Sequence, residues 1–309
     1  MFLFFCFLDL FNFFYCLINC IIKMMKSKVI ATKFDSFEKA ISRIFEEAKL
    51  KEVLKGKNRV ILKPNLTTNL PYPITTDPQF VESLVKVLLG FFGGEILICE
   101  GSGGCDTKKA FQDLGYEGIS RKWKIKTLDL NREERIKFEN KNALKLKEVW
   151  LPKILFDSYL ISLPVPKEHG EAIFTGALKN QFGIYLSKNF VKEYDKEKLE
   201  KKGIFVAKEI WEKGWNKGEL HFLGVQETIF DLNLYRKPDF VVCDGRFGVK
   251  GGELRGERFE IGKIFASFDP VALDSHLAKI FGFDWREIKY LTLSNKVLGK
   301  AEDFEVKIV

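Results

Sequence analysis

The chain has 309 residues, 46% hydrophobic and 14% aromatic, with 50 Lys and Arg against 42 Asp and Glu for a formal net charge of +8. That length buries a sizeable core in one or two domains. The aromatic content excludes a disordered chain, and six cysteines in 309 residues exclude a disulfide-dense scaffold.

Residues 1–23 differ from everything after them: residues 1–22 hold 7 of the 30 Phe and 3 of the 6 Cys. Their length suits a membrane span, but Asp9, Asn12 and Asn19 interrupt it, and a central Asp costs about 2.5–3.5 kcal/mol on insertion. No basic residue precedes the run and no small-residue cleavage site follows, against a signal peptide. Three readings stay open: a start-site artefact with initiation at Met24 or Met25, a membrane anchor, or a buried or interfacial helix. As an anchor, Lys23 and Lys26 would hold the globular part in the cytoplasm.

From Lys28 the chain alternates strands and helices. Extended runs are expected at 28–34, 59–66, 95–100, 124–130, 157–165, 238–245, 259–268 and the final FEVKIV. Helical periodicity falls at 36–54, 107–115, most of 189–234 and 285–299. Asp77-Pro78 and Asp269-Pro270 each open a helix, with Asp as N-cap and Pro in the first turn. FTGALKNQFG (174–183) reads as a loop entering a helix, and Gly245–Gly256 as a glycine-rich loop. The rhythm predicts an α/β fold over residues 28–309: a mostly parallel or mixed sheet with helices on both faces, as a single domain or two similar-sized lobes.

Three cysteines, Cys99, Cys105 and Cys243, remain after residues 1–22, and with no disulfide framework the expected compartment is the cytoplasm. Lys and Glu are abundant and Gln occurs four times, a thermophile-like balance. The signs alternate along Lys192–Lys213, as on a solvated helix face. No compact basic stripe or nucleic-acid motif stands out, so nucleic acid is not an expected partner.

In an open α/β sheet, ligands bind beyond the carboxyl ends of the strands. Lys63 and Asn65, Glu100, Lys167 and His169, and Asp244 all follow strand runs. Gly101-Ser102-Gly103-Gly104, between strand and helix, offers consecutive amides as an anion nest, with a bare turn as the alternative. Lys179 and Asn180 follow a glycine-bearing entry. His169 is the candidate for acid–base work; His221 and His276 suit structural roles at least as well. HExxH and CxxC are absent, and Asp274 follows Asp269 by about one helical turn.

KPN (63–65), TDP (76–78), EGSGG (100–104), AFxxLGY (110–116), DLN (129–131), TGALKN (175–180), DG (244–245), GG (251–252) and ASxDPVALD (266–274), taken in order, resemble the domain of unknown function 362 family over roughly residues 28–292. The resemblance implies an α/β domain of archaeal and bacterial proteins, sometimes found beside ferredoxin-type iron–sulfur motifs, and no particular reaction. The Cys-rich segment of such motifs is missing here.

Two functions are therefore expected. The first is an enzyme holding a small phosphate- or carboxylate-bearing molecule through Lys63, Asn65, Gly101–Gly104, Lys167, Lys179 and Asn180. His169, Glu100 and Asp244 would transfer protons, or Glu100 and Asp244 would bind a divalent metal such as Mg²⁺. The alternative is a non-catalytic redox-associated or cofactor-assembly protein in which Cys99, Cys105 and Cys243 hold a metal or an iron–sulfur cluster.

Overall fold

The computed structural model describes residues 27–186 and 217–309, so residues 1–23 and most of the 189–234 segment lie outside the described residues. Twelve strands alternate with helices among the described residues. The strands are β1 (Lys28–Lys33), β2 (Arg59–Pro64), β3 (Glu95–Glu100), β4 (Lys126–Asp129), β5 (Arg135–Glu139), β6 (Glu148–Pro152), β7 (Tyr159–Leu163), β8 (Lys167–His169), β9 (Ile173–Thr175), β10 (Phe240–Lys250), β11 (Glu257–Ser267) and β12 (Glu305–Ile308). The helices are α1 (Phe37–Glu47), α2 (Leu50–Val53), α3 (Pro78–Leu89), α4 (Thr107–Asp113), α5 (Tyr116–Trp123), α6 (Gly218–Leu223), α7 (Val225–Arg236), α8 (Pro270–Phe281) and α9 (Lys289–Ser294).

One ten-stranded mixed sheet runs through the described residues in the order β12-β1-β11-β10-β7-β2-β3-β4, with β8 paired to β10 and β9. β10, β7, β2, β3 and β4 run parallel, while β11 is antiparallel to both β1 and β10. Strands buried on both faces read as continuous apolar runs, and side-chain alternation then splits them between two cores. In β2, Val60 and Leu62 join the core containing Phe80 and Leu84 of α3, whereas Ile61 joins the core containing Leu232 of α7 and Leu273 of α8. Helices therefore cover both faces, as the sequence rhythm requires.

Asp77 and Asp269 cap their helices as read from sequence: Asp77 Oδ1 accepts from the Gln79 amide at 2.8 Å, and Asp269 Oδ1 from Val271 and Ala272 at 2.9 and 3.1 Å. Other boundaries differ. The 36–54 helix is broken at Lys49, which adopts φ 50°. The 285–299 helix shrinks to a 3-10 turn at 285–287 and to α9. The Gly245–Gly256 stretch is mostly strand, because β10 runs on to Lys250 and pairs with β11 from Val241↔Ser267 to Lys250↔Glu257, through an irregularity between Gly245 and Phe247. Only residues 251–256 form the turn. The β5–β6 hairpin, although RIKFE (135–139) alternates charged and apolar residues, and the three-residue β8 and β9 strands lie outside the expected elements.

Candidate functional site

The chain runs from β2 to β3 to β4 in one direction across the sheet and returns to β7 on the other side of β2. The carboxyl ends of β2 and β7 thus flank a topological switch point, where parallel sheets open a crevice. A cavity of about 440 Å³ lies there, lined by residues that include Asn65, Glu100, Gly101, Gly103, Gly104, His169, Lys179 and Asn180. Lys63, Ser102, Lys167 and Asp244 are not among its lining residues.

Beneath the cavity is a fully buried ion pair. Lys63 Nζ lies 2.9 Å from Glu100 Oε1 and donates to Asn180 Oδ1 at 3.3 Å. Asn180 Nδ2 in turn donates to Ser162 Oγ at 2.9 Å. Glu100 also accepts the amides of Gly101 at 2.7 Å and Leu66 at 3.1 Å. Its oxygens are engaged, which suits a structural anion better than a proton shuttle. Burial pushes Lys63 down, and Glu100 opposes that shift. Gly183 packs directly on the pair: a Cβ there would sit 1.9 Å from Glu100 Oε1 and 2.5 Å from Lys63 Nζ. Only glycine permits that approach.

Three of the four amides of the expected anion nest are engaged within the protein. The Gly101 amide goes to Glu100, that of Ser102 to Thr107 Oγ1 at 3.0 Å, and that of Gly104 to the Thr67 carbonyl at 2.8 Å. Ser102 Oγ donates to the Leu66 carbonyl at 2.6 Å. The loop spends these donors on its own fold, and Gly101, Gly103 and Gly104 shape the wall. Lys167 is likewise committed, donating to the Ile74 carbonyl at 2.9 Å, and burial pushes it down to about 8. Asp244 belongs to a separate cluster: Arg246 Nη2 lies 2.8 Å from it and 2.6 Å from Asp77, and Tyr72 OH donates to it at 3.2 Å. The Arg246 guanidinium also lies over the Phe37 ring at 4.1 Å.

The cavity's own charges come from residues the sequence left partly unread. Lys217 is 8% exposed and donates to Asn131 Oδ1 at 2.8 Å and to the Tyr185 carbonyl. Among the described residues no carboxylate pairs with it, and burial pushes it down to about 7. Lys179 Nζ lies 3.5 Å from Glu253 Oε2 and 4.9 Å over the Phe182 ring. His169 sits on β8 rather than in a loop; its Nδ1 accepts the Glu171 and Ala172 amides at 3.0 and 3.1 Å. The bonded network therefore assigns the imidazole proton to Nε2, 3.3 Å from Glu253 Oε1. Burial, then Lys179, pushes His169 below the ordinary histidine value. Burial would raise Glu253, but Lys179, His169 and Lys167 together hold it well below the carboxylate range.

His221, on α6, stacks on His169 with centroids 5.8 Å apart, and its Nδ1 lies 2.5 Å from Glu171 Oε2. With the Nδ1 proton directed at that carboxylate, Nε2 is left as an acceptor. Asp274 lies outside the lining but positions it, accepting the Ala177 amide at 2.6 Å and that of Leu178 at 3.0 Å.

The thiol cluster is not assembled. Cys99 and Cys243 lie in one core, and Cys105 packs against the other across the sheet. Among the described residues no group of three or more His, Cys, Asp or Glu is arranged to hold a metal ion, including around Glu100 and Asp244. No helix among the described residues is long and apolar enough to cross a membrane.

The family model described as Domain of unknown function (DUF362) matches residues 60–279, and the chain belongs to that family. Among solved structures, the lactate racemase apoprotein from Thermoanaerobacterium thermosaccharolyticum is similar at 17% identity and a TM-score of 0.43. The match covers 79% of this chain and 55% of that one, so this chain spans about half of that protein's length. No curated protein matches the chain.

Proposed function

We propose that this protein is an enzyme that binds a small phosphate- or carboxylate-bearing molecule in the switch-point cavity and moves a proton on it. The carrying observation is Lys217, a buried ammonium at the cavity wall bonded to an amide oxygen and a carbonyl. Its displacement from 10.5 to about 7 corresponds to roughly 5 kcal/mol. One anion at 4 Å supplies about 4 kcal/mol at an effective dielectric of 20. A ligand charge beside Nζ therefore opposes the burial cost with an attraction of the same order. Lys179 adds a second cation to the same lining.

The histidines divide the remaining work. His169, with its proton on Nε2, is a hydrogen-bond donor. His221, oriented by Glu171, is the base. Glu100 and Lys63 hold the floor in place.

Thermal unfolding of the wild type with inorganic phosphate, phosphate monoesters and short mono- and dicarboxylates tests this reading. At least one of these anions is expected to raise Tm in the wild type and to lose its effect in K217M and K179A. Equal shifts in the wild type and both folded variants would contradict it.

A further inference from the structure

The glycine-rich turn at 251–256 carries Glu253 into the cavity lining. Its two carboxylate oxygens bridge two donors: Oε1 faces His169 Nε2 at 3.3 Å, and Oε2 faces Lys179 Nζ at 3.5 Å. Charge-assisted pairs ordinarily close to about 2.7–2.9 Å. These contacts are long, and the His169 Nε2 contact does not complete a hydrogen bond although the residue is only 9% exposed. A buried donor left without a hydrogen bond marks a place where a better-fitting acceptor gains.

The two donors and the bridging acid stand on different supports. His169 is fixed in β8 by two amide bonds to Nδ1, and Lys179 begins a buried 3-10 turn at 179–184. Glu253 follows Gly251 at φ 80° and Gly252 at φ 129°, conformations that glycine adopts at little cost. Its neighbour Leu254 is 42% exposed. The donors are preorganised, while the acid sits on the tip of a hairpin.

We propose that Glu253 occupies the seat of the ligand's own carboxylate, and that the 251–256 turn withdraws it when a small carboxylic acid binds between His169 and Lys179. This rests on the anion-binding reading above and narrows it, because a planar two-oxygen anion fits two donors already bridged by a carboxylate. The turn is then an exchangeable plug, and its glycines are the hinge.

The test is calorimetric titration of propionate and of inorganic phosphate into the full chain as wild type, E253Q and E253A. Removing the internal competitor is expected to tighten propionate binding at least tenfold in both variants, with phosphate gaining less. Adding K179A to E253A is expected to abolish the gain. The His169 Nε2–H resonance is expected to move with propionate in E253A. Unchanged or weaker propionate binding in both folded variants overturns the proposal, as does an equal gain for phosphate. Propionate binding that depends on Lys217 but is unchanged in E253Q and E253A overturns this proposal alone. Absence of anion binding in all three proteins overturns the anion-binding reading along with it.

Discussion

Lys63 and Lys217 are both buried, yet their surroundings demand opposite behaviour on mutation. Lys63 has Glu100 at 2.9 Å, and removing one partner of such a pair leaves a buried charge alone. K63A is expected to lose about 3–5 kcal/mol in denaturant unfolding, and the double change K63M/E100Q distinctly less. Equal losses would show that the pair itself, and not the orphaned charge, sets the cost. Lys217 has no such partner among the described residues, so its charge is a burden on the folded state. Its folded value near 7 lies below the usual 10.5, so the folded state binds fewer protons than the unfolded state between those limits. Its burial cost is full below about pH 7 and disappears as pH rises toward 10.5. K217M is therefore expected to melt above the wild type at pH 6, with the gap narrowing toward pH 10. A gap independent of pH would remove the buried-ammonium account.

At the scale of elements, α8 positions the cavity wall through Asp274, whose two amide bonds fix the start of the 176–180 segment. D274A leaves two buried donors unpaired and is expected to cost about 2 kcal/mol or more, read by chemical unfolding. Burial raises Asp274 to about 7, so its contribution is present below about pH 4 and is lost as pH rises to 7. D274N is expected to flatten that limb of the stability profile. G183A places a methyl group 1.9 Å from Glu100 Oε1 and is expected to destabilise by about 1–3 kcal/mol while moving the floor of the site. Legibility in the sequence differs sharply among these elements. The caps at Asp77 and Asp269 are local chemistry, and four adjacent residues suffice to see them. Gly183 has no local signal, because its reason is a pair 83 and 120 residues away in sequence. The β10 extension was hidden by its glycines: a ladder partner in β11 holds them extended, against their local preference for a loop. Strands β8 and β9 are three residues each, too short for a period to show.

Across the whole molecule, the alternation of apolar runs made the layered α/β architecture readable; of the residues the strand-end rule singled out, Asn65, Glu100 and His169 line one cavity, together with Lys179 and Asn180 from the glycine-bearing 175–180 segment. The rule says which end of the sheet matters and nothing about which charges remain available there. Hydrogen-bond partners decide that. They take Lys63, Lys167, Ser102 and Asp244 into the scaffold, and bring in Lys217, His221 and Glu253 from distant segments. The most direct test of the central claim is calorimetric titration of the wild type with the anion that raises its Tm most, at pH 6.5 and 9, in buffers of different ionisation heat. An anion seated beside Lys217 is expected to bind with proton uptake, and at least tenfold more tightly at pH 6.5 than at pH 9. Binding without proton uptake and with equal affinity at both pH values would contradict the account.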